Sequence, residues 1–216
     1  MSVETESGRH GAAELDTAAA VAAADNPVLL GVPSFIIGTA ALGMLLIGYQ
    51  AGGAAAALLS IFVLSSATGL LVAAIWAIRA GAGPVAAVFG IFQGFFFTFA
   101  PLQYGLAHDW FGTGVDAASA VATFALCWLF LIVVLTVATL RLPLLFTVLF
   151  VLVDIAFALV FLAYNGAGAA GPSATLLLIA GIVDFVFTLI GVYLFIDAMG
   201  QATGGKPMPL GAPMVS

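Results

Sequence analysis

Two aspartates sit where a carboxyl is most expensive. Asp154 lies in Phe150-Val-Leu-Val-Asp-Ile-Ala-Phe157 and Asp184 in Ile179-Ala-Gly-Ile-Val-Asp-Phe185, each near the middle of an apolar run long enough to cross a bilayer. A mid-membrane acid costs about 2.5–3.5 kcal/mol on insertion scales, so each must face protein or a water path, or carry a proton. No lysine or arginine falls at their depth. The chemistry open to such a pair is proton carriage; the alternative is a protonated acid donating a hydrogen bond to a neighbouring helix. Gln93, in Phe92-Gln-Gly-Phe-Phe-Phe97, carries an amide that has to face another helix or a pore. Ser60, Ser65, Ser66 and Thr68 can bond the preceding turn of their own helix. The phenylalanine runs read as lipid-facing or path-narrowing surface.

A different chemistry is available at Asn26-Pro-Val-Leu-Leu-Gly-Val-Pro-Ser-Phe35. Asn26 suits an N-cap and Pro27 the first helical position, while Gly31 and Pro33 loosen the first turns. A helix start of this kind presents backbone N–H groups and roughly half a positive charge, a means of attracting a small anion. Its alternative is a capped helix entry with no ligand. Enzyme templates fail. The two histidines, His10 and His108, fall in a tail and a loop, and Lys206 is the single lysine, so neither a His-based triad, a zinc cluster nor a phosphate loop is encoded. No cofactor or metal is expected.

The elements that must position these groups follow from composition. Of 216 residues 64% are hydrophobic and only 6% charged, against about 25% charged in a soluble domain, which makes this an integral membrane protein. The single cysteine, Cys127, excludes an intrachain disulfide and reads as a small packing residue. Residues 1–25 read as a disordered acidic tail without a signal-peptide core, in which Glu4, Glu6, Glu14, Asp16 and Asp25 face only Arg9. The acidic balance argues against a nucleic-acid partner. Six apolar blocks follow at about 29–48, 55–79, 85–105, 118–140, 143–164 and 174–198, each long enough to span the bilayer. The expected fold is an all-α bundle of six transmembrane helices over 26–199, with a C-terminal tail at 200–216. Short breakers make neighbouring spans antiparallel. Arg9, Arg79, Arg141 and Lys206 then share one side, and the positive-inside rule puts both termini in the cytoplasm. Gly38, Gly43 and Gly48 in the first span and Gly181 and Gly191 in the last have the small size that lets helices approach closely in lipid.

Several segments resemble the acetate uptake transporter family, the bacterial succinate–acetate permeases and their fungal and archaeal relatives. Asn26-Pro27 with Leu30-Gly31 is similar to the entry signature Asn-Pro-x-Pro-Leu-Gly, and Phe35 falls on the aromatic that closes it. Trp76, Arg79 and Gly81 match the end of the second span; Phe89 and Phe95 match aromatics of the third-span signature. Trp128 and Thr139-Leu140-Arg141 match the fourth, Asp154 with Phe157 the fifth, and Tyr193 with Pro209-Leu-Gly211 the closing segment. The resemblance covers the chain from Asn26 onward. It implies six spans, a homo-hexamer with a path in each subunit, and uptake of acetate or related short carboxylates coupled to protons. It also implies an apolar constriction, here at Phe35, Phe92 and Val153. The departures are Leu29 for a proline, Leu70 for a glutamine, Ala77 for an acid, Phe92 for a tyrosine and Gln93 for a glycine; Asp184 is an addition.

The resulting expectation is a multi-pass transporter of the cell (plasma) membrane for acetate or another short monocarboxylate. Substrate docks at Asn26, Gly31 and Gln93, passes Phe35, Phe92 and Val153, and Asp154 or Asp184 handles the proton. A passive channel for small neutral solutes or undissociated acids is the rival. A non-transporting scaffold or sensor, with the acidic tail as docking arm, is the third reading.

Overall fold

The computed structural model describes residues 26–49 and 57–215. The acidic tail at 1–25 lies outside them, as do the first two residues of the block expected from 55. Six helices are long and apolar enough to cross a membrane: α1 Val28–Leu46, α2 Ile61–Arg79, α3 Gly83–Ala107, α4 Ala117–Ala138, α5 Leu144–Tyr164 and α6 Ala174–Ala202. All regular structure among the described residues is helical. In lipid this is forced, because a helix pairs its own backbone groups and an open strand cannot.

Local chemistry explains the ends. α1 stops where Gly48 turns left-handed (φ 69°) and the Tyr49 N–H reaches back to the Met44 carbonyl. Gly48 is therefore a helix stop, not the packing residue that its spacing suggested. α4 starts on Asp116, whose carboxylate accepts from the Ser119 N–H, and α6 on Ser173. α6 runs on to Ala202, past the limit read from hydropathy, because Gln201 bonds back to Asp197 and termination waits for Gly204 (φ 88°). The first turns of α2, Ile61–Ala67, are π-helical. That turn carries Ser66 to α1, where its hydroxyl donates to the Ser34 carbonyl at 2.7 Å.

The helices form a ring in chain order, each packed on its sequence neighbours and α6 closing on α1. α1 and α6 meet most closely. A Cβ at Gly181 would lie 3.1 Å from the Gly43 carbonyl oxygen, and Thr188 donates to the Thr39 hydroxyl at 2.8 Å. The backbones of α3 and α4 stay apart, and aromatic side chains fill the gap. Phe95 touches Trp128 (5.5 Å between ring centres), Phe124 (5.9 Å) and Phe157 (5.2 Å). Phe92, Phe95, Phe96 and Phe99 are all buried and of the phenylalanines in that stretch Phe97 alone is exposed, so these rings build the interior and not the lipid face. Cys127, by contrast, faces outward on α4.

If the α1–α6 approach holds the ring closed, Gly181→Leu, which drives a side chain into the α1 backbone, costs about 1–3 kcal/mol of stability. Thermal unfolding of the purified protein in detergent measures it, with Gly200→Ala, at an open position, as the control.

Candidate functional site

Two cavities run from opposite faces toward the centre of the ring. The near cavity, about 270 Å³, starts at the face that bears the start of α1 and the end of α6, among Asn26, Pro84, Leu142, Gln201 and Leu210. The far cavity, about 180 Å³, starts at the other face, among Leu46, Gln103, Val121, Tyr164 and Leu177. Phe92 lines both. Its ring packs edge-on against Phe35 at 4.8 Å, and Phe150 stacks behind it at 6.3 Å. Phe35 faces the near cavity and Val153 the far one, both with at most 6% of their surface exposed. Of the three residues expected to constrict a path, Phe35 and Phe92 pack on each other between the cavities, and Val153 lines the far one.

Helical periodicity puts them there. One stripe of α1 contributes Val28, Val32, Phe35, Thr39, Leu42 and Leu46, at steps of three and four. α6 does the same with Leu177, Asp184, Phe187, Gly191, Leu194, Ala198 and Gln201. α3 supplies Val85, Val88, Phe92, Phe96, Phe99 and Gln103, and α5 supplies Phe146, Leu149, Val153, Phe157, Val160 and Tyr164. α4 reaches only the far cavity, and no described residue of α2 lines either.

The same geometry sorts the polar residues. Asp184 is fully buried and lines the far cavity, with its Oδ2 close against the Gly43 backbone and no described side-chain donor on either oxygen. Asp154 is one position past Val153, hence about 100° round the helix, and lies off both cavities. It points to α4, where Thr136 donates to its Oδ2 at 2.8 Å and its Oδ1 is buried without a partner. Gln93, one position past Phe92, also lies off both cavities. Gly31 is a packing position: a Cβ there would collide with the ring of Phe89.

At the start of α1 the backbone donors are already taken. Asn26 Oδ1 accepts from the Val28 N–H at 3.0 Å, the Asn26 carbonyl from Leu29, and the Pro27 carbonyl from Leu30 and Gly31. The expected ring of free N–H groups is thus used up locally, and the Asn26 side-chain NH2 is the donor left on the near-cavity wall. Five polar lining residues escaped sequence reasoning: Thr39, Gln103, Tyr164, Asp197 and Gln201. A signal for Gln103 was present, since it stands eleven residues, three turns, after Phe92. Asp197 was hidden at the end of a hydrophobic block, where an acid is ordinary. Among the described residues no cation lines either cavity.

Residues 12–205 match the model of the GPR1/FUN34/yaaH family. The chain belongs to that family. This is the group of acetate transporters whose motifs the sequence resembles. Among solved structures, one described as the structure of the bacterial acetate channel SatP is similar to this family member, with a TM-score of 0.73 at 17% identity, covering 86% of this chain and 98% of that one. No curated protein matches the chain. With this fold the protein is a multi-pass membrane protein.

The Thr136–Asp154 bond ties α4 to α5. Thr136→Val leaves both carboxyl oxygens of Asp154 without a partner, and the expected loss is roughly 0.6–1.7 kcal/mol, the range for interhelical hydrogen bonds in lipid. Chemical or thermal unfolding in one detergent reads it directly.

Proposed function

We propose that this protein carries acetate or a related short-chain monocarboxylate across the cell membrane, one path per subunit, together with a proton. The observation that carries the reading is the pair of cavities meeting at Phe92, with walls of apolar residues, space for a small solute and no basic side chain among the described residues. A bare anion entering the far cavity meets Asp184. Two like charges about 4 Å apart repel by about 4 kcal/mol at an effective dielectric near 20, so a proton must ride on one of the two carboxyls. Either the acid crosses undissociated or Asp184 is protonated as it passes. Of the three residues expected to bind substrate, Asn26 is the one on a cavity wall, and its amide is a donor suited to a carboxyl oxygen. Of the two acids, Asp184 is the one on the path, with Asp154 acting through the α4–α5 contact.

The reading extends to a cytoplasmic position for the face with the start of α1 and the end of α6. Arg79 ends α2, Arg141 sits in the α4–α5 turn and Lys206 in the tail, all on that face, which agrees with the positive-inside rule. It also includes a homo-hexamer, as the family resemblance implies. A passive channel for undissociated acids is the second reading, favoured by the single thin layer between the cavities.

Labelled acetate uptake into proteoliposomes, with and without an imposed pH gradient, tests the proposal. Uptake should be faster when the outside is acid, and Asp184→Asn should flatten that dependence while Asp154→Asn changes it less. Acceleration of uptake by acetate inside the vesicle indicates a carrier; its absence, with flux that does not saturate, indicates the channel. No acetate flux above protein-free vesicles at any pH would sink both. Phe92→Ala, which removes the ring shared by both cavities, should raise flux and weaken discrimination against longer acids.

A further inference from the structure

The residues after α6 do not trail away from the bundle. They are strapped across the mouth of the near cavity. The Met208 N–H donates to Asp197 Oδ1 at 2.7 Å, and Tyr193 Oη donates to the Pro209 carbonyl at 3.1 Å. The Leu210 carbonyl accepts from the Leu145 N–H at 3.1 Å, and the N–H groups of Met214 and Val215 reach the Leu140 carbonyl at 3.2 and 3.3 Å. Gly211 lies so close on Leu144, with φ of 79°, that a side chain there would meet the Leu144 Cβ at 2.9 Å. Leu210 itself becomes part of the cavity wall, opposite Asn26 and Pro84.

We propose that residues 206–211 form the cover of the near cavity and that Asp197 is the residue that positions it. Asp197 is placed for this task. It is only 6% exposed and lines the cavity, yet both its oxygens are engaged, Oδ1 by the tail backbone and Oδ2 by Gln201 at 2.9 Å. A buried carboxylate with both oxygens occupied is a fixed post, unlike Asp184, which no described side-chain donor holds. Gly204 and Gly205 separate the strap from α6, so the strap can lift without disturbing the helix. When it lifts, Leu210 leaves the wall and the cavity widens toward the face with the start of α1 and the end of α6. The cover thus sets how readily a solute enters or leaves at that face.

The inference rests on the near cavity being part of the solute path, and its test does not need transport. The full chain with Cys127→Ser and Leu194→Cys, a cavity-lining position, is placed in lipid nanodiscs and its labelling by a water-soluble maleimide is timed. Adding Asp197→Ala should speed labelling about tenfold, the effect of releasing roughly one net hydrogen bond that holds a closed state. Leu210→Ala should speed it as well without touching the backbone bonds. Asp197→Asn, which keeps an acceptor for the Met208 N–H, should stay within about twofold of the parent. A cysteine in the far cavity, Val160→Cys, should label at one rate in all these backgrounds. Unchanged labelling at Leu194→Cys in both alanine variants, or an equal rise at Val160→Cys, overturns the proposal. Acetate uptake by the unaltered chain judges the path separately, so the two failures are distinguishable.

Discussion

The close approach of α1 and α6 is the contact on which the other features depend. In lipid there is no hydrophobic force pushing two apolar helices together, so association relies on backbones coming near enough for dispersion and hydrogen bonding. Gly43 and Gly181 permit that approach, Gly191 lets α6 rest on Phe35 and Ile36, and Thr188 bonds Thr39 across the seam. Because α1 and α6 are the first and last spans, this one seam closes the ring. It also sets the cavity-lining stripes of α1 and α6 side by side and fixes Asp184 next to Gly43, facing inward.

Electrostatics explains why the interior is built this way. A path with cationic walls would hold a carboxylate tightly, and release would then be slow. Here the basic residues Arg79, Arg141 and Lys206 stay at the ends of helices, and the wall offers amides, hydroxyls and two buried acids, Asp184 in the far cavity and Asp197 in the near one. The Phe35–Phe92 contact separates the two cavities, and Asp184 lies on the wall of the far one. Such a wall gives little stabilisation to an anion. The strap held by Asp197 lies at one end of the bundle: Leu210 lines the near cavity, and no residue of the strap lines the far one.

The two mid-membrane acids illustrate how one position along a helix changes a role. Asp154 and Asp184 have the same kind of flanking sequence and lie at comparable depth. Rotation about the axis sends one to a threonine on the adjacent helix and the other into a cavity. Gln93 and Phe92 divide in the same manner, the aromatic lining both cavities and the amide neither.

The sequence by itself determined the class of structure: six continuous hydrophobic runs, each too long for a barrel strand and long enough for a spanning helix, read as a bundle of membrane-crossing helices that pair their own backbone groups. It determined that Asp154 and Asp184 needed an explanation, since the cost of a carboxyl in lipid does not depend on the fold. The family's order of motifs also pointed to Phe35, Phe92 and Val153. Tertiary structure alone decided which faces of α1, α3, α5 and α6 look inward, because near-uniform hydrophobicity erases the amphipathic stripe that marks the inner face of a soluble helix. It decided that the α1 N–H groups are consumed by Asn26 and Pro27, and that Asp197 holds a returning tail. Those are pairings between atoms whose distance is set by how the chain folds back, and linear spacing carries no measure of it.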